Sequence, residues 1–353
     1  VTSRDLLVIV AAAQLVALAA LLIAILVNRW IRQRRRAGVR PRRVVLDQAM
    51  NGWALGEIGP ELVARALEAL PTSEAVEALV GWAGRLQGER WRSLAQALDQ
   101  RPWTARLRAA VRARFWWRRL QAARLLSVAA TPADAPLVER LLGDPQPAVH
   151  IAAGAALERI ATPRLVALVI ERMPLMAGPV QAHYASVLRT AHRIVVPLLV
   201  ERLGRVYDPA LPRIVEFAGR IADAGLREAV TTLANHPNPE VRVQVARALG
   251  DFPHTASVAA LQALSTDPAW EVRAQAVRGL GRIADPATLP DLVPRLADAV
   301  WWVRLRAALA LTRLGAGGRD ALLAAEIGPR PDARFVARLI LGLTPQALTE
   351  FAA

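Results

Sequence analysis

"AWEVRAQAVRGLGRI", beginning at Ala269, decides how this chain is read, because the same order of residues returns 31 positions earlier and 31 positions later. Upstream stands "NPEVRVQVARALGDF" from Asn238 and downstream "VWWVRLRAALALTRL" from Val300, so Arg242, Arg273 and Arg304 share one spacing. Earlier strides land on "LPRIVEFAGRIA" from Leu211, "VQAHYASVLRTA" from Val180, "AVHIAAGAALERIA" from Ala148 and "WRRLQAARLLSVA" from Trp117, and a worn copy, "ARFVARLILGL", follows from Ala333. Each unit has a first helix such as "ATLPDLVPRLAD" or "ADAPLVERLLGD", a turn rich in Asp, Pro and Asn, and a second helix with small residues at close spacing. Apolar positions in the second helix recur every three and four residues, as an amphipathic helix requires. Two helices of this length cannot bury their apolar faces alone, so units must stack into one continuous core. The expected fold is all-α: an α-solenoid of two-helix repeats.

The pattern D-P-x-x-x-V-R-x-x-A-x-x-x-L, read in "DPAWEVRAQAVRGL" and its weaker copies, resembles the HEAT-like repeats of the phycobilisome-lyase type over about residues 101–345. That resemblance implies a ladder of hydrogen bonds between neighbouring repeats, made by an Asp near the turn and an Arg six residues later. Asp267 with Arg273 and Asp298 with Arg304 have this spacing. Asp144 meets His150 at the matching place, and the units around Val180 and Leu211 lack the pair, so the ladder is expected to break in mid-array. The resemblance is informative about fold and poorly informative about activity.

Composition agrees with close-packed helices: 54% of the 353 residues are hydrophobic but only 5% aromatic, which leaves Ala, Leu and Val to build the core. The absence of cysteine excludes disulfides, thiolate nucleophiles and cysteine metal sites. All 45 basic residues are arginine, which excludes Walker-type phosphate loops and Schiff-base chemistry.

Residues 6–27, "LLVIVAAAQLVALAALLIAILV", contain one polar side chain, Gln14, and would span about 33 Å as a helix. The run is too long for the apolar part of a secretory signal and opens onto arginines, so residues 1–28 read as one transmembrane helix. Eight arginines follow within residues 29–43, among them Arg29, Arg32, Arg34, Arg35 and Arg36, against Arg4 and Asp5 on the other side. Positive charge stays in the cytoplasm, which predicts a single-pass protein of the cell (inner) membrane, N-terminus outside, with Trp30 at the interface. These juxtamembrane arginines also suit anionic lipid headgroups. Residues 29–43 then form a linker, residues 44–100 a helical capping region or degenerate repeats, and residues 101–353 the solenoid. Beyond the first 43 residues 36 arginines face 29 acids, so the solenoid is only moderately basic.

No catalytic constellation stands out. The five histidines show no metal-ligand spacing. The deoxyhypusine hydroxylases, HEAT-like enzymes with a di-iron site, use paired His-Glu motifs, and no histidine here precedes a Glu. No metal and no cofactor are expected. His183, beside Tyr184, is the histidine most suited to the inner face, although a lone helical histidine is usually a packing residue.

Counting from the Arg242-like position of each second helix, offsets two, five and nine lie along one stripe. They give Gln121 and Arg124, Arg159, Gln244 and Arg247, Gln275, Arg278 and Arg282, and Arg306 and Arg313. Because second helices line the concave side of HEAT-like arrays, this stripe is the expected partner-binding surface, suited to an acidic segment. A second basic feature lies between Asp99 and Asp134, where "RPWTARLRAAVRARFWWRRLQAAR" carries eight arginines, three tryptophans and no acid. Its members Arg101, Trp103, Arg108, Arg112, Trp116 and Arg118 form a basic-aromatic patch of the kind that binds nucleic acid. One ring of each Trp pair is expected to pack between units, and a protein partner or the membrane surface is favoured over nucleic acid. The leading expectation is a non-catalytic, membrane-anchored cytoplasmic scaffold or adaptor for a protein partner, such as a membrane enzyme complex. The alternatives are a chromophore-lyase-like enzyme, or binding of nucleic acid or anionic lipid through the Arg and Trp patches.

Overall fold

The structure, a computed structural model, describes residues 14, 18, 21–23, 26, 27, 40–84, 88–344 and 346–348. Every regular element among them is helical: α1 (residues 40–55), α2 (Pro60–Glu68), α3 (Thr72–Ala83), α4 (Glu89–Asp99), α5 (Pro102–Ala109), α6 (Trp116–Ala129), α7 (Ala135–Leu142) and α8 (Pro147–Gly154). There follow α9 (Leu157–Ile160), α10 (Pro163–Arg172), α11 (Gly178–Leu188), α12 (His192–Leu203), α13 (Leu211–Ile221), α14 (Arg227–Thr231) and α15 (Pro239–Leu249). The chain closes with α16 (Thr255–Leu264), α17 (Trp270–Ile283), α18 (Leu289–Leu292), α19 (Trp301–Thr312), α20 (Gly315–Ile327) and α21 (Pro331–Leu341). Proline opens α2, α5, α10, α15 and α21, where its missing N–H would have had no helical partner. At α15 and α10 a side-chain cap adds to this: Asn238 accepts from the Glu240 N–H at 2.9 Å, and Thr162 from the Leu165 N–H at 3.3 Å.

The helices sort into two compact units, residues 1–152 and 153–353. In the first, one apolar core runs from Leu46, Met50 and Trp53 through Trp91 and Leu94 to Leu125 and Val128. Trp53 and Trp91 meet at 6.1 Å between ring centroids, and the Trp91 indole donates to the Val128 carbonyl. The core runs on across residues 100/101, since α1 to α4 share it with α6. Arg40, Pro41, Arg42 and Arg43 lie in one turn of α1. Arg42 donates to the Ala69 carbonyl at 3.1 Å, which ties that turn to the end of α2.

In the second unit, first helices pack on first helices (α10 on α12, α12 on α14, α14 on α16) and second helices on second helices (α13 on α15, α15 on α17, α17 on α19). Glycine sets the spacing of the second row. A Cβ on Gly219 would lie 2.9 Å from the Ala248 Cβ, one on Gly250 2.9 Å from the Gly279 Cα, and one on Gly281 2.5 Å from the Ala310 Cβ. Each pair is 29 residues apart and recurs with the stride of 31, so the close approach belongs to the repeat itself. α13 and α17 both end in a left-handed alanine, Ala222 at φ 54° and Ala284 at φ 56°.

An arginine–aspartate ladder locks consecutive repeats. Arg242 donates through Nε and Nη2 to Asp267 at 2.7 and 2.9 Å, and Arg273 to Asp298 at 2.8 and 2.9 Å. The third guanidinium nitrogen turns back into its own repeat: Arg273 Nη1 donates to the carbonyls of Asp267 and Pro268, and Arg304 Nη1 to those of Asp298 and Ala299. Each aspartate also accepts from the backbone N–H two residues on, at Ala269 and at Val300. So the aspartate's side chain serves the preceding repeat while its carbonyl serves the arginine six residues later. Charge-assisted, two-pronged bonds of this kind are the strong ones. A further rung, Arg119 to Asp144, lies in the first unit and has the same 25-residue separation. At the aspartate's place before Arg242 stands His236: its Nδ1 accepts from the Asn238 N–H at 3.1 Å and its Nε2 reaches the Val206 carbonyl at 3.0 Å. Among the described residues the carboxylate that Arg304 meets is the exposed Asp332, at 3.5 Å.

Candidate arginine face on the second helices

Three-residue and four-residue steps keep Gln244, Arg247, Gln275, Arg278, Arg282, Arg306 and Arg313 on one face of α15, α17 and α19, and close packing of those helices brings the side chains together. A groove of about 250 Å³ is lined by Gln244, Arg247, Arg278 and Arg282, joined by Glu216, Arg220 and Asp251. Arg278, Arg306 and Arg313 line a smaller recess over Gly281 and Ala310. Arg278 therefore belongs to both hollows.

Burial lowers the Arg278 pKa from its ordinary value, and the charges of Arg306, Arg282, Arg247 and Arg313 push it the same way. Burial also lowers that of Arg306. Few acids compensate: Asp251 pairs with Arg282, and Glu216 holds Arg220 and Arg213, each at 3.0 Å. Arg247, Arg306 and Arg313 have no carboxylate partner among the described residues. Gln244 is 8% exposed and donates to Glu240 at 3.0 Å, while its amide oxygen and that of Gln275 are buried without a partner. Such a face holds excess positive charge in a partly desolvated groove, which an anion relieves, while the two buried amide oxygens call for a donor.

The stripe does not extend intact beyond this region. Arg159 lies on the short α9, its pKa lowered by burial. Gln121 and Arg124 sit on α6 in the first unit, Arg124 exposed and Gln121 half-buried with its amide oxygen unsatisfied. The expected stripe omits Arg220, although offset nine from Leu211 falls on it and "GRIAD" occurs at Gly219 and again at Gly281. In each copy the glycine allows close helix contact, the arginine enters the groove, and the aspartate accepts from an N–H two residues on.

The basic-aromatic patch divides. Trp103 is buried at 7% exposure and belongs to the core, a correction that follows from its place on the inner side of α5. Arg101 is taken by Glu61 and Glu68, and Arg108 by Asp99 and Asp134, acids that are distant in sequence and brought close by folding. Arg112, Trp116 and Arg118 are exposed. Both Trp116 and Trp117 stand in solvent, at 41% and 50% exposure, so neither ring of that pair packs between units. Trp302 is likewise 54% exposed, whereas Trp301 is half-buried against Phe335. His183 is half-buried, edge-on to the fully buried Tyr184, whose hydroxyl pKa is pushed up by burial. Among the described residues no group of three His, Cys, Asp or Glu side chains is placed to hold a metal ion. Arg29, Arg32, Arg34, Arg35 and Arg36 lie outside the described residues, as does most of the apolar stretch before them. Gln14, Leu18, residues 21–23, Leu26 and Val27 are helical and exposed. Among the described residues no helix is long and apolar enough to cross a membrane.

The family model described as HEAT repeats matches residues 226–312 and 257–339, so an all-α HEAT-repeat solenoid is shown over that stretch. No curated protein matches the chain. Among solved structures, the chain is similar to an engineered protein (18% identity, covering 83% of this chain and 97% of that one, TM-score 0.33). It is also similar to human deoxyhypusine hydroxylase in complex with glycerol (19%, 77% and 98%, TM-score 0.31). The third is the Escherichia coli protein YibA (16%, 76% and 97%, TM-score 0.36). TM-scores this low transfer no site to this chain.

Proposed function

We propose that this chain is a non-catalytic adaptor, held at a membrane by the apolar stretch of residues 6–27, whose arginine face on α15, α17 and α19 binds an acidic segment of a protein partner. HEAT repeats are typically protein-interaction scaffolds, which supports the general reading. The observation that carries the particular one is the crowding of Arg247, Arg282, Arg306 and Arg313 around the half-buried Arg278. A run of carboxylates laid along this face would replace arginine–arginine repulsion with charge-assisted hydrogen bonds. Its few anchors would carry most of the binding energy. The arginine-rich segment after residue 27 supports a cytoplasmic orientation of the repeats.

In-cell crosslinking of the full chain, followed by mass spectrometry of the crosslinked peptides, tests this. A partner is expected to crosslink within residues 244–313 through an acidic segment, and to be lost from an Arg247→Gln, Arg278→Gln, Arg306→Gln variant that keeps its helical signal. Equal capture by that variant, or crosslinks confined to other surfaces, sinks the proposal.

A further inference from the structure

We propose that the exposed run Arg112 to Arg118, R-A-R-F-W-W-R, is a bilayer-contact element that seats its three aromatic rings in the interface of an anionic membrane. It rests in part on the anchored reading above and concerns a different surface from the arginine face.

The backbone here is held firmly while its side chains face outward. Val111 is buried, and the Arg119 guanidinium donates to the carbonyls of Ala113 and Arg114, each at 3.0 Å, while it forks onto Asp144. That clamp fixes the turn from Ala110 into α6. Beyond it Phe115, Trp116 and Trp117 are 45%, 41% and 50% exposed. The rings form one surface: Phe115 and Trp117 stack at 4.5 Å with 17° between planes, and Trp116 stands edge-on to Trp117 at 6.3 Å. Three adjoining aromatic rings in water mark a contact surface, not a stray apolar residue.

Charge gives that surface its chemistry. Arg112, Arg114 and Arg118 are exposed and have no carboxylate partner among the described residues. Asp134 is engaged by Arg108 and Asp144 by Arg119. Indole rings favour the headgroup level of a bilayer, and arginines beside them meet anionic headgroups. A stacking platform for single-stranded nucleic acid needs free ring faces for successive bases. Here Phe115 and Trp117 cover one face of each other, which favours insertion as a block. The tether agrees: the 13 residues from Val27 to Arg40 reach at most about 45 Å, so an inserted apolar stretch keeps α1 within that distance of the lipid.

The test is quenching of intrinsic tryptophan fluorescence in the full chain by brominated phosphatidylcholine, in vesicles with or without phosphatidylglycerol. Parallel variants are Trp30→Phe, Trp116→Phe with Trp117→Phe, and Arg112→Gln with Arg114→Gln and Arg118→Gln. In anionic vesicles, the wild type is expected to lose an increment of fluorescence that is absent from the Trp116→Phe, Trp117→Phe variant. That increment should fade at high salt. The arginine variant should weaken the anionic-lipid component about a hundredfold. Equal quenching of the wild type and the Trp116→Phe, Trp117→Phe variant overturns the inference. If the Trp30 contribution alone is quenched, in neutral and anionic vesicles alike, the anchor stands and this element is not at the bilayer. If only the Trp116 and Trp117 contribution is quenched, the inference stands and the anchor falls. A fluorescence change on adding single-stranded oligonucleotide, without bromolipid quenching, overturns it in favour of nucleic acid.

Discussion

"FWWRRLQAARLL" from Phe115 and "VWWVRLRAALAL" from Val300 begin two second helices with the same tryptophan pair and the same ladder arginine, and the chain uses them differently. In the first, Arg119 finds the well-covered Asp144 carboxylate and both tryptophans stay exposed. In the second, Trp301 packs against Phe335 with the Arg304 guanidinium 5.7 Å from its ring, while the carboxylate that Arg304 meets among the described residues is the exposed Asp332. The repeat supplies an arginine and two rings at the entrance to the helix. What the following helices bring decides which of them is buried, so the duplication is of a structural unit.

The largest effect that would break this comparison is loss of a buried rung. Asp298→Ala strips Arg273 of its carboxylate and the Val300 N–H of its acceptor, and should cost about 3 to 4 kcal/mol in urea unfolding. Asp332→Ala, at an exposed pair 3.5 Å apart, should cost under about 0.5 kcal/mol. If the two variants melt alike, the ladder is not a stabilising device. Next in size is Gly281→Ala, whose new Cβ would overlap Ala310 and force α17 from α19, at about 2 kcal/mol. Gly81→Ala in α3, where a Cβ meets nothing within 4 Å, should instead stabilise by about 0.5 to 1 kcal/mol. The tryptophans sharpen the contrast further: Trp301→Ala should lower stability by about 1 to 2 kcal/mol, and Trp117→Ala by under about 0.5 kcal/mol, since the first loses its packing and the second was already exposed.

The smallest effect near neutrality is the pH dependence. Burial pushes the carboxyls of Asp144, Asp267 and Asp298 up, but bonds from their arginines and from backbone N–H groups outweigh it, and all three end below the usual carboxylate value. A group depressed on folding contributes fully above its unfolded value, near 4, and the contribution is lost as pH falls through the folded one. Stability should therefore be flat from pH 7 to about pH 5 and fall toward pH 3. Asp267→Asn with Asp298→Asn should flatten that fall in a urea titration at each pH.

The stride of 31, the alternation of first and second helices and the arginine at each second helix could be read from the residues alone, because each depends on local spacing along one helix. So could Asp267 and Asp298 beside their turns. Arg119 could not: it sits within a run of arginines, and only the fold shows that Asp144 waits 25 residues on. The same holds for Trp103, which shares the Arg-rich segment's composition but points into a core gathered from Leu46 onward. The arginine face was legible as an expectation from offsets along each helix, yet its crowding around Arg278 required the glycine contacts that bring α15, α17 and α19 together.

Periodicity and chemistry along one strand of sequence thus determined that this chain is a stack of helical pairs with an arginine–aspartate grammar. Only the tertiary structure decided which arginine meets which aspartate, which tryptophan is covered and where positive charge accumulates. The physical reason is that a helix's pattern is written in residues three and four apart, whereas burial and ion pairing depend on neighbours some 25 to 31 residues away, brought into contact by stacking.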